Sequence, residues 1–137
     1  MFTFCARYFS LASILLVVEV MIAVYVHDAF VRPYIGDFLV IILLYCMLKS
    51  FFNISVIRAV EAVVLFAFII EILQYFHLIT LLHLQHSALA KVVLGSSFSW
   101  IDLLVYTAGA ATILIVEHLR IRKIISSISI YLLCQKS

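Results

Sequence analysis

The chain has 137 residues, of which 67% are apolar and 12% charged, with a formal net charge of +2 and a mean hydropathy of +1.29. A water-soluble domain of that composition has no polar surface to spare, so the solvent for most of the chain is a bilayer. One proline, three glycines and no Pro/Gly/Ser-rich linker, low-complexity tract or fixed-period repeat argue against a barrel or an array and for one all-α membrane domain over residues 1–137.

The first apolar run, about residues 8–30, is long enough to cross a membrane once. Glu19 in its middle and the lack of a small-residue cleavage site make it an uncleaved span rather than a signal peptide. His27 and Asp28 end it, and Arg32-Pro33-Tyr34-Ile35-Gly36-Asp37 predicts a tight polar hairpin with Pro33 in the first turn of the next helix. The second span runs over about 33–52, closed by Lys49 and Asn53. Arg58 and Glu61 open a third, about 58–77, which carries Glu71 and Gln74 before reaching His77.

From Leu78 to Phe98 the apolar sequence is interrupted by His83, Gln85, His86, Ser87 and Lys91 and is too short to cross twice, which predicts an interfacial or re-entrant segment. The fourth span, about 99–117, starts where Ser97 or Ser99 can cap it. Glu117 and His118 then precede Arg120, Arg122 and Lys123, and the basic tail 118–137 is amphipathic enough to lie on the membrane or to extend the last helix. The expected architecture is thus a polytopic four-helix transmembrane bundle.

Lys and Arg counts set the orientation. With the N-terminus inside, Arg7, Lys49, Arg58, Arg120, Arg122, Lys123 and Lys136 face the cytoplasm, against Arg32 and Lys91 outside. Both termini are therefore expected in the cytoplasm. Cys5 and Cys134 fall on the reducing side and Cys46 near it, so no disulfide framework is implied.

Ionisable groups inside lipid-phase sequence persist only where something satisfies them. Asp102, Tyr106 and Gly109 stand at i, i+4 and i+7 on one helical stripe, and Glu71 and Gln74 share another. The outward half of the bundle thus collects Arg32, Asp37, Glu71, Gln74, Trp100, Asp102 and Tyr106 as candidate ligand-binding residues, with Glu19, Glu71 and Asp102 as candidate proton carriers. The inward half is expected to hold apolar side chains and a basic rim. Five carboxylates, Glu19, Asp28, Asp37, Glu71 and Asp102, face only Arg32 and Lys91, so pairing of Arg32 with Asp37 or Asp102 is expected. The plainer readings are interhelical hydrogen bonding for the buried acids, close packing for Gly109, and interfacial anchoring for Trp100 and the tyrosines at span ends. His77, His83 and His86 lack a thiolate or carboxylate at ligand spacing, so neither a metal nor a cofactor is assigned.

Glu71-x-x-Gln74, followed by Asp102 with a polar residue at i+4 and Gly109 at i+7, resembles the core pattern of the VanZ-like superfamily, small bacterial membrane proteins typified by a teicoplanin-resistance accessory protein. The fuller string, Arg32-Pro33-x-x-Gly36-Asp37, Glu71-x-x-Gln74, Gly95-x-x-Phe98-Ser99-Trp100-x-Asp102 and Tyr106-x-x-Gly109, is more similar to an uncharacterised bacterial family of short four-span membrane proteins, over about residues 15–112. Tyr106 stands where VanZ-like proteins commonly have Asn, so the resemblance implies a shared fold and site position more than a shared activity. The sequence favours a non-enzymatic envelope protein that binds a membrane lipid head group or amphiphile, with Arg32 clamping an anionic group. The alternative is a small transporter or transporter subunit using intramembrane carboxylates for protons or cations, against which the missing inner half of a polar path counts. A homo-oligomer or membrane partner fits either; nucleic acid fits neither. An intramembrane hydrolase lacks an activated nucleophile, a metal motif and a phosphate loop.

Overall fold

The computed structural model describes residues 2, 4–28, 31–83, 86–88 and 98–134. Lys91, Gln85, Gly95, Ser97 and Lys136 lie outside the described residues, as does most of the expected re-entrant segment. The described chain is all-α: α1 (Ala6–Tyr25), α2 (Val31–Phe51), α3 (Val56–Tyr75), the single turn α4 (Leu78–Leu81) and α5 (Trp100–Cys134). No strand occurs among the described residues beyond an isolated bridge between Phe2 and Phe52.

Three of these helices, Ala6–Tyr25, Arg32–Phe51 and Trp100–Ser129, are long and apolar enough to cross a membrane. The chain is a membrane protein. α3 has the length, with 20 residues, but carries Arg58, Glu61 and Glu71. α1 ends at Tyr25, where Val26 turns extended, five residues short of the expected Phe30. α5 does not stop at the basic run. It continues to Cys134 for 35 residues because no proline or glycine follows Gly109 to break it. That length is roughly 52 Å at 1.5 Å per residue, well beyond a hydrocarbon core of about 30 Å.

α2 sits between α1, α3 and α5, and α3 also packs on α5. Each helix turns one stripe inward: Ala12 on α1; Ile41 and Tyr45 on α2; Val60, Val63 and Ala67 on α3; Tyr106, Ala110 and Ile113 on α5. Small side chains recur on these stripes because close backbone approach, not hydrophobicity, holds helices together in lipid. Gly109 is the extreme case. A Cβ there would stand 3.2 Å from Ile41 Cβ and Cγ2 and 3.3 Å from the Phe38 carbonyl oxygen, so the glycine sets the α2–α5 distance. Apolar residues on the other faces, such as Ile14, Val17, Leu65, Phe66 and Ile115, are exposed, as lipid-facing side chains must be.

His77 closes α3 in the left-handed region, φ 54°, where glycine is the usual choice. Its N–H donates to the Gln74 carbonyl at 2.9 Å, and its carbonyl accepts from Thr80 and Leu81, so one histidine both ends α3 and starts α4. At the other end of the bundle, Lys49 Nζ donates to the Ile54 carbonyl at 2.7 Å and ties the α2–α3 loop to the last turn of α2.

Candidate functional site

The inward stripes carry polar groups at both ends. On α5 the buried residues Tyr106, Ala110, Ile113 and Glu117 stand at i, i+4, i+7 and i+11. On α1, Tyr8, Ala12, Leu15 and Glu19 follow the same spacing, and on α2 Asp37, Ile41 and Tyr45 stand at i, i+4 and i+8. Two polar stations result, roughly 16 Å apart along α5, with an apolar waist between them.

The station at the Trp100 end gathers four acids from four helices. Glu71 of α3 is 1% exposed, and its Oε1 accepts from the Tyr106 hydroxyl at 3.1 Å. Its Oε2 is buried and has no hydrogen-bond partner among the described residues. Asp37 of α2 lies in the fields of Asp102, Glu71 and Glu19, and Tyr106 in those of Asp37, Glu71 and Asp102. Glu19 of α1 packs against Gly36, where an added Cβ would sit 3.7 Å from Oε2; its Oε1 is also buried without a hydrogen-bond partner among the described residues.

Ser99 joins α5 to this cluster. Its Oγ accepts the Ile101 N–H at 3.3 Å, which makes it the helix cap; its hydroxyl faces Asp102, and its backbone N–H is directed at Glu71. Asp102, in the first turn of α5, also lies where the helix dipole favours an anion. Above the acids, edge-to-face rings link α3 to α5: Tyr75 to Phe98 at 5.6 Å, and Phe98 to Trp100 at 5.1 Å.

Not every expected site residue joins the cluster. Arg32 is exposed, and among the described residues it makes no salt bridge with Asp37 or Asp102. The reason is angular: five residues on a helix place Arg32 roughly 140° around α2 from Asp37. Gln74 is half-buried and contributes its backbone carbonyl to the turn at His77, while Trp100 is 75% exposed at the rim. Among the described residues no three His, Cys, Asp or Glu side chains converge as metal ligands would.

The second station, at the Arg120 end, corrects the expectation that this half is apolar with a basic rim. Glu117 is 8% exposed and its Oε1 accepts the Tyr8 hydroxyl at 2.6 Å and the Tyr45 hydroxyl at 3.1 Å. Arg120 stands 3.7 Å from the same oxygen and donates to Tyr8 Oη at 3.2 Å. The Tyr8 ring also has Lys49 Nζ at 5.7 Å and the Arg120 guanidinium at 5.4 Å from its centroid. Tyr8 is therefore more than an interfacial anchor. The signal that leads to Glu117 is the stripe through Asp102, Tyr106 and Gly109 continued by two further turns.

A family model described as protein of unknown function (DUF2809) matches residues 26–110, from the end of α1 through the first three turns of α5. No curated protein and no solved structure matches the chain.

Proposed function

Because the chain belongs to the family of proteins of unknown function DUF2809, its activity has to be argued from its own residues, and we propose that it is a small, non-enzymatic transporter or transporter subunit whose intramembrane carboxylates take up a proton or a cation. The observation that carries this reading is Glu71: buried, bonded through one oxygen only, and accompanied by Glu19, Asp37 and Asp102 with no cation against them among the described residues. Buried carboxylates in that arrangement need a positive charge or a proton to be tolerated. An anionic head group would add to the charge, and Arg32 stands apart from the cluster that it would have to serve as a clamp. The second station, with Glu117, Tyr8 and Tyr45, supplies the polar groups at the other end that a transport path requires.

In this reading α3 is the fourth span, both termini are cytoplasmic in a bacterial inner membrane, and the acidic station opens outward. Reporter fusions after Leu82 are expected to signal from outside and fusions after Ser137 from the cytoplasm; an outside signal from the second would remove the four-span topology. The relationship to the VanZ-like superfamily belongs to the same proposal, at the level of fold and site position.

The acidic station is tested by cation-for-proton exchange. In weakly buffered nanodiscs, adding a series of alkali and organic ammonium cations to the parent protein is expected to release about one proton per chain with at least one member, read by a pH dye. Glu71→Gln is expected to lose that release while keeping its helical content, since an amide can still accept from Tyr106 and brings no buried charge. Release that persists undiminished in Glu71→Gln, or no release with any cation, would sink the proposal.

A further inference from the structure

We propose that the acidic station is selective for lipophilic organic cations of the quaternary or tertiary ammonium type, recognised jointly by Glu71 and by the ring chain Tyr75–Phe98–Trp100; this rests on the reading of that station as a cation site. Two independent observations converge. The first is the buried Glu71 Oε2, an acceptor without a donor among the described residues, on a residue 1% exposed. The second is the ring chain, which runs from the last turn of α3 to the first turn of α5, with centroid spacings of 5.6 and 5.1 Å.

Ser99 puts the two together. It lies between Phe98 and Trp100 in sequence, with its hydroxyl facing Asp102 and its backbone N–H directed at Glu71, so the rings and the carboxylates flank a single residue. Tyr75 follows Glu71 by one helical turn. Along α3 and α5 the rings of Tyr75 and Trp100 therefore stand nearer the bundle end than the carboxylates of Glu71 and Asp102.

That order selects chemically. An alkali ion or a divalent metal wants a close shell of oxygens, and among the described residues no three acidic or metal-ligating side chains converge at ligand distance. A quaternary ammonium needs no directed donors, spreads its charge over methyl groups, and is held well by aromatic rings backed by an anion a few ångströms further off. Its apolar substituent has a place to lie along Tyr75, Phe76 and Trp100, which are exposed by 61, 66 and 75%. The groups facing Glu71 from neighbouring elements are Asp37 of α2, Asp102 and Tyr106 of α5 and the Ser99 N–H, with Glu19 of α1 facing Asp37. None of these groups, taken among the described residues, is cationic.

Trp100 is the only tryptophan in the chain and reports directly on this step. The full-length protein in nanodiscs is titrated with benzyltrimethylammonium and, separately, with its neutral carbon isostere neopentylbenzene. Saturable change in Trp100 emission with the cation and none with the isostere is expected, and calorimetry should show Trp100→Leu and Tyr75→Leu binding roughly three- to tenfold more weakly, with Trp100→Phe retaining most of the affinity. Equal response to both compounds, or full affinity in both leucine variants, would overturn the assignment. Alkali-driven proton release without any benzyltrimethylammonium binding would overturn it too, while leaving the broader cation-site reading intact.

Discussion

Glu117→Ala is expected to destabilise the protein by about 3 kcal/mol, seen as an early midpoint when the purified protein is unfolded by SDS in mixed micelles. One carboxylate oxygen accepts from Tyr8 and Tyr45 and lies 3.7 Å from Arg120, so its removal takes the shared acceptor from two hydroxyls and the counter-charge from the guanidinium. Tyr45 is 2% exposed and cannot turn to water. Tyr45→Phe, which removes one donor and leaves the rest of the group bonded, is expected to cost only about 1 kcal/mol. The same loss from both variants would mean that the carboxylate is not the hub of this station.

The second large effect is expected at Gly109. Replacing glycine by alanine inside a helix ordinarily gains up to about 1 kcal/mol. Here the added methyl would stand 3.2 Å from Ile41, which is fully buried, and 3.3 Å from the backbone oxygen of Phe38, neither of which can swing away. Overpacking of this kind costs about 1–3 kcal/mol, which exceeds the propensity gain, so Gly109→Ala is expected to be destabilised and Gly109→Leu to lose the α2–α5 contact altogether. Ile41→Ala is itself destabilising, but combined with Gly109→Ala it should cost less than the sum of the two, because it removes Cγ2, one of the three atoms the new methyl meets; strict additivity of the two changes would show that the clash lies elsewhere.

The helices themselves could be read from the sequence, since long apolar runs separated by His27-Asp28, Asn53 and His77 leave few other arrangements in lipid. The meeting of Glu71 with Tyr106 and Asp102 was also legible, as two stripes that face the same region, whereas Asp37 stood on neither stripe and was read with the outer hairpin. Three other points were not. Arg32 looked like the natural partner of these acids by charge, but partnership depends on helical phase, which turns it away. Glu117 stands next to Arg120, Arg122 and Lys123 and reads as part of a charged rim, although it shares the phase of Tyr106. The sequence leaves the tail 118–137 open between a segment on the membrane surface and an extension of the last helix; charge marks where a helix leaves lipid, whereas ending one takes a glycine, a proline or a turn, and neither glycine nor proline follows Gly109.

Tyr8 and Glu117 are separated by 109 positions in the chain. In a protein that enters the membrane from its N-terminus, α1 and α2 can pair as soon as both are inserted, but the Tyr8 hydroxyl has no carboxylate to meet until α5 has been made. The first helix, with Ala12 as its one buried residue, is held first by α2, through the Cys5 N–H to the Ser50 carbonyl and the Tyr8–Tyr45 ring contact, and gains its tie to Glu117 only from the last helix to arrive. A chain truncated before Glu117 would keep the packing of α1 on α2 and lack the carboxylate that Tyr8 and Tyr45 share, so the contact between the first helix and the last is made only once α5 has entered the bundle.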